Sequence, residues 1–404
     1  MLDFGKKFSN FCFLDNHDYQ FDKSYDFIAG CGVASSVIFG EKNNLESVNQ
    51  FKEENNDWIF GHISYDLKNE IEDLSSNNKD GIGFPDFYFF VPEIIFILSK
   101  ETVKIGVQEN MDANKIFEEI VSIIPGKKVC EKPSLKSRFS KKEYLQTVEK
   151  LQQHILRGDC YEICFCQEFF AEHIQIEAVS VFKRLCEISP NPFSAFYKLD
   201  KKYLMCASPE RFLKKTGEII ISQPIKGTSK RLDKNIEGEK HQLQIDEKER
   251  AENVMIVDLV RNDLSKICEE GTVSVKEFQK IYSFPQVHQM ISTIQGRLRE
   301  NVSFGEILSA TFPMGSMTGA PKKRVMELIE KYEKTKRGLF SGTVGYINPD
   351  GDFDFNVVIR SILYNENSGY LSIQAGSAIT AKSIAEKEYE ECNVKMQPLF
   401  QTLM

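Results

Sequence analysis

The stretch that decides the fold class is residues 339–378, LFSGTVGYINPDGDFDFNVVIRSILYNENSGYLSIQAGSA. Apolar and polar residues alternate in three runs, Leu339–Ile347, Phe353–Tyr364 and Tyr370–Ala375, divided by Pro349-Asp350-Gly351 and Glu366-Asn367. Period-two patterning between turn residues predicts three antiparallel strands. Arg360 falls inside the second run, where a planar guanidinium suits two-point binding of a carboxylate. The third run ends in the small-residue turn Gln374-Ala375-Gly376-Ser377-Ala378. Beyond it, a helix from about Ile384 to Leu399 carries Glu388 and Glu391 three apart, with Lys395 one turn further. Two carboxylates and an ammonium then lie along one stripe.

The same grammar continues upstream. Phe193–Leu199, Tyr203–Ala207 and Glu218–Ser222 read as strands, and Ser208-Pro209 breaks the chain so that Glu210 sits at a turn. Gln223–Arg231 reads QPIKGTSKR. Pro224 fixes φ and Gly227 permits a positive one, so Lys226 is expected on a constrained turn that projects it away from the sheet. That is the geometry of a nucleophile or an anion clamp. Gly227 and Thr228 add a backbone N–H and a hydroxyl suited to a carboxylate. Glu210 and Lys226 stand at a hairpin-like separation, where an acid and an amine can meet.

Lys248–Leu264 lacks Gly and Pro and reads as a helix with Glu249 and Glu252 on one face. With Glu388 and Glu391 this makes four carboxylates expected across a cleft. Such a group needs a counter-cation, and its hard oxygens suit Mg2+. Phe312–Lys322 is a glycine-rich loop feeding a helix that runs to about Tyr332, with Pro321 in its first turn, and it reads as a candidate anion site. Ser140 is expected to cap a helix bearing Leu145, Val148, Leu151 and Ile155. In the strand Tyr161–Phe170, Glu162 shares a face with Cys164 and Cys166, at a sheet surface or in a polar cavity.

Composition narrows the class. Of the 404 residues, 41% are hydrophobic and 27% charged, enough to fill a large globular core. The net charge of −8 argues against nucleic acid as the main partner. The N-terminus lacks an apolar run of signal-peptide length, and Phe87–Leu98, read as a buried strand pair, is too short to span a membrane. The ten cysteines lack zinc-site spacing and read as packed thiols of a cytoplasmic protein. Residues 1–135 carry short strands, His62 among them as a packing residue, and no recognisable chemistry. The polar segments Glu41–Asp57 and Lys68–Asp80 separate those strands, and the composition turns basic around Cys130–Lys141.

Nine stretches carry a resemblance: GDCYEICFCQEF, ASPERFL, PIKGT, DEKERAENVMIVDLVRNDL, GSMTGAPKKRVMELI, RGLFSGTVGYI, DFNVVIR, QAGSAI and EKEYEE. In these the chain resembles the chorismate-utilising enzymes, from about residue 58 to 404. The resemblance implies an α+β fold, one large domain of two packed antiparallel sheets flanked by helices. Residues 1–135 would be a β-rich part of that intertwined fold and 136–404 its chorismate-binding region. It implies Mg2+ held by Glu249, Glu252, Glu388 and Glu391 at the ring carboxylate. Substrate contacts would fall on Gly227, Thr228, Arg360, Gly376 and Lys395, with Glu210 as acid toward the 4-hydroxyl and His288 near the ring.

Within the family, PIKGT resembles the aminodeoxychorismate synthase branch, whereas anthranilate synthases read PIAGT. Lys226 would then attack C2 of chorismate and expel the 4-hydroxyl, and ammonia would add at C4. Isochorismate and salicylate synthases carry a lysine base where this chain has Glu162, which counts against water addition. The expected product is 4-amino-4-deoxychorismate, for 4-aminobenzoate and folate synthesis. The chain ends just after its last helix, so ammonia is expected from a separate glutamine amidotransferase subunit. Three positions depart from the pattern. Glu162 replaces a glutamine, Phe340 replaces an aromatic with a polar handle, and the Leu-Leu-Glu-Ser element linked to tryptophan feedback is absent. The rival readings are anthranilate synthase component I and an inactive homologue that only binds an amidotransferase.

Overall fold

Residues 339–378 build strands in both sheets of the molecule. Thr343–Ile347 and Phe353–Asn356 pair in a 10-stranded sheet, Ser361–Asn365 and Tyr370–Ile379 in an 11-stranded one. The run Phe353–Tyr364 is therefore two strands rather than one. The chain crosses between sheets at residues 357–360, through the fully buried Val357 and Val358, to Arg360 at a φ of 51°. Apolar residues fill both the strands and the corner, so alternation alone does not mark the break. Phe87–Leu98 behaves alike: Phe87–Val91 joins the smaller sheet and Ile94–Ser99 the larger, so the two are not partners.

The computed structural model describes residues 1–19, 24–38, 44–124, 126, 132–231, 235–284 and 287–404. Of the segments singled out in the sequence, Glu41–Asn43, Cys130 and Glu131 lie outside them. The named strands pair antiparallel throughout the two sheets, which are flanked by helices to form one α+β domain. Asn10–Asp15 pairs with Phe193–Leu199, and Ile59–Ile63 with Thr343–Ile347, so residues before 135 contribute strands to each sheet.

Two apolar layers follow from this arrangement. Phe60, Phe89, Tyr197, Cys206 and Phe355 fill the space between the sheets, joined by Ile256, Val257 and Val260 of helix Glu247–Ser265. Tyr144, Val148, Phe165, Ile373 and Met396 pack the larger sheet against helices Lys141–Leu156 and Ala385–Leu403. Each such side chain contributes roughly 1.5–3 kcal/mol on burial. Ser140 caps its helix in a reciprocal box with Glu143. His62 is a buried core residue, bonded through its two ring nitrogens to the Tyr197 hydroxyl and the Pro85 carbonyl.

Strand parity decides where Glu162 points. In Glu162–Ala171, Cys164 and Cys166 belong to the layer between the sheets, while Ile163 and Phe165 face the helices. Glu162 shares the cysteines' face and is fully buried.

Candidate active site

A cavity of about 520 Å³ opens where the edge strand Ile225–Lys230, helix Glu247–Ser265, the end of Tyr370–Ile379 and helix Ala385–Leu403 converge. Lys226, Gly227, Thr228, Glu210, Glu249, Glu252, Arg360, Gly376, Glu391 and Lys395 line it. Ten of the twelve residues singled out from the sequence therefore meet on one surface.

Lys226 is not on a turn. It lies in the edge strand, which pairs with Val287–Arg297 across a register shift between Ile225 and Thr228. Gly227 supplies the irregularity at a φ of 96°, and a Cβ there would stand 3.2 Å from Met290 Cβ and 3.3 Å from Glu249 Oε2. The bulge aims the lysine into the space between the sheets, where Nζ donates to Glu162 Oε1 at 2.6 Å. Burial disfavours the ammonium, but Glu162 and then Glu252 outweigh it, and the lysine's proton affinity rises above its ordinary value.

Glu210 lies just before the strand Arg211–Thr216, its backbone N–H accepted by Ser208 Oγ. Burial pushes its carboxyl up to about 7, against the pull of Lys226, so it is about half protonated at neutral pH. An acid and an amine thus face one cavity.

The glutamates of the two helices converge on an ammonium that sequence reading passed over. Lys248 places Nζ 3.1 Å from Glu388 Oε1, 3.6 Å from Glu252 Oε1 and 3.9 Å from Glu391 Oε2. Burial, against the pull of Lys226 and reinforced by Glu162, raises Glu252 to about 8, and burial raises Glu249 as well. Glu252 Oε1 and Glu388 Oε2 are buried without a hydrogen-bond partner. Glu388 takes part from behind and does not line the cavity. Among the described residues no three acidic, His or Cys side chains are already gathered at ligating distance, so a cation would have to draw the carboxylates together.

On the other oxygen of Glu391, Lys395 Nζ bridges Oε1 at 2.7 Å and the Gly376 carbonyl at 2.8 Å, and Arg360 Nη1 donates to the Lys395 carbonyl at 3.2 Å. Burial lowers Arg360 to about 10, which leaves it cationic. Arg360 therefore serves from the corner between sheets, not from a strand interior. A Cβ on Gly376 would meet Cys166 Sγ at 2.5 Å, so close strand packing also accounts for that glycine.

One expectation fails on geometry. His288 sits in Val287–Arg297 between Val287 and Gln289, both of which line the cavity, so strand alternation turns it away. It is buried, 2.9 Å from Ser283 Oγ and 3.3 Å from Glu239 Oε2. Lys322, at the end of the glycine-rich loop, is held by Asp263 Oδ2 at 2.7 Å and the Thr311 carbonyl, so its ammonium is already engaged. Ser316 and Met317 of that loop do reach the cavity.

A profile of chorismate binding enzymes matches residues 10–401. The chain belongs to the chorismate-binding enzyme family. This chorismate-binding enzyme is 32% identical to aminodeoxychorismate synthase component 1 of Bacillus subtilis (strain 168) over 348 residues, 82% of the chain and 73% of that protein. It is 31% identical to anthranilate synthase component 1 of Aquifex aeolicus (strain VF5) over 370 residues, 85% and 74% of the two. Its fold matches the crystal structure of anthranilate synthase component I from Streptococcus pneumoniae TIGR4, with a TM-score of 0.82, 24% identity and coverage of 96% and 92%. Overall identity does not separate the two branches, so the site must. No helix among the described residues is long and apolar enough to cross a membrane.

Proposed function

We propose that this chorismate-binding enzyme is an aminodeoxychorismate synthase component I, forming 4-amino-4-deoxychorismate from chorismate and ammonia. The observation that carries the reading is Lys226, presented by a bulged edge strand to the cavity that also holds the Glu210 carboxyl. An amine there can attack C2, and a carboxyl of raised proton affinity can protonate the departing 4-hydroxyl. Arg360, Lys395 and the Gly227-Thr228 backbone supply the contacts for two substrate carboxylates.

The carboxylate donors fit Mg2+: hard oxygens, two of them buried without a hydrogen-bond partner, on helices that line the cavity. Glu249, Glu252, Glu388 and Glu391 would hold the ion, which when bound neutralises the ring carboxylate. Replacing Glu391 with glutamine should then move the midpoint of a Mg2+ titration upward by about tenfold or more. An unaltered titration removes Glu391 from the ligand set.

Ammonia would come from a separate glutamine amidotransferase subunit, in a cytoplasmic pathway toward folate. Purified chain should consume chorismate only with Mg2+, using ammonium but not glutamine. Glutamine-driven turnover by this chain alone would remove the partner, and no turnover under any condition would favour an inactive homologue. Micromolar tryptophan should leave the rate unchanged, since the Leu-Leu-Glu-Ser element is missing. Measurable inhibition in the same assay refutes that expectation.

A further inference from the structure

The mechanism above needs Lys226 as a free amine, yet its surroundings hold the proton on it. The groups facing its ammonium are Glu162 and Cys164 from strand Glu162–Ala171, Glu252 from helix Glu247–Ser265, Glu391 from helix Ala385–Leu403, and Glu210. Among the described residues, Glu162 is the one that pairs with it, at 2.6 Å. Glu162 is fully buried and does not line the cavity, so it reaches the chemistry only through Lys226. Its second oxygen, Oε2, is buried with no hydrogen-bond partner, which leaves the carboxylate under-satisfied and ready to be neutralised.

We infer that Glu162 is the proton acceptor that frees Lys226 for attack, passing the proton back when the lysine departs. The inference rests on the lysine-nucleophile reading proposed above. Transfer along the short contact turns an ion pair into a neutral amine and a neutral acid, with no change in the net charge of a buried region. That exchange costs far less than expelling a proton to bulk solvent from between two sheets.

The step balances. Lys226 Nζ gives one proton to Glu162 Oε1, and its lone pair forms the N–C2 bond. The ring double bonds shift, the C4–O bond breaks, and the hydroxyl leaves as water with the Glu210 proton. Ammonia then bonds to C4, the double bonds return and the C2–N bond breaks. Glu210 takes the surplus proton from the new ammonium, and Lys226 recovers its own from Glu162.

The test is the rate of the covalent step alone. Full-length protein is mixed with chorismate and Mg2+ without ammonia and quenched, and the adduct on Lys226, chorismate less one water, is followed by mass spectrometry from pH 5.5 to 7. In wild type the log rate should be level over this range, because the proton moves within the pair. Glu162→Gln should form adduct about a hundredfold more slowly at pH 6. Its log rate should rise with a slope of one per pH unit, since the lysine must release its proton to solvent. Glu162→Asp, which keeps the carboxylate, should restore the level profile. A Glu162→Gln profile parallel to wild type, whether fast or slow, overturns the inference and reduces Glu162 to a structural partner. Absence of adduct in wild type while aminated product still forms removes the covalent reading itself, a distinct outcome.

Discussion

Lys226→Ala should lower chorismate amination by about a hundredfold or more, the scale of losing an activated nucleophile from an otherwise intact site. The cavity, the Glu210 acid and the cations at Arg360 and Lys395 all persist in this variant, so KM for chorismate should move far less than kcat. The substitution also strands Glu162 as a buried charge without its ammonium. Breaking a buried pair in this way costs about 3–5 kcal/mol of stability. The double variant Lys226→Ala with Glu162→Gln removes that stranded charge. It should recover much of the lost thermal stability and none of the activity. Steady-state kinetics and thermal melts on the two variants separate the contributions. An unchanged kcat in Lys226→Ala makes the lysine a binding group only.

Glu210→Gln is expected to cost about 10² to 10⁴ in kcat/KM, the range for a missing general acid. Its pH signature is more specific than the size of the loss. Burial lifts this carboxyl to about 7, so it holds its proton below that pH and loses it above. The acid-dependent rate should therefore be level below pH 7 and fall tenfold per unit above it, at constant free ammonia. The glutamine variant should lack that limb. A variant that is slow but keeps the same limb assigns the titration to another group.

Much of this site is written in local pattern. The ExxE pairs are helical neighbours by arithmetic, and the residues of Gln223–Arg231 announce irregular backbone through Pro224 and Gly227. What stays hidden is what long-range pairing decides. Whether Gly227 makes a turn or a bulge depends on the strand Val287–Arg297 lying alongside it. Which face His288 takes depends on a register that no run of residues near it specifies. Lys248 looks like one more charge on an acidic helix until helix Ala385–Leu403 is placed opposite. The fold class itself follows from the strand runs together with the family resemblance, because apolar corners such as 357–360 leave the division into two sheets unmarked. The interleaving of residues 1–135 with the rest is likewise a matter of pairing.

The most direct measurement is product identity. Purified protein with chorismate, Mg2+ and ammonium at high pH is analysed by mass spectrometry, with and without an added aminodeoxychorismate lyase. The expected product keeps the enolpyruvyl group and yields 4-aminobenzoate only when the lyase is present. Anthranilate with released pyruvate would contradict it, and would place this chain in the anthranilate synthase branch despite Lys226.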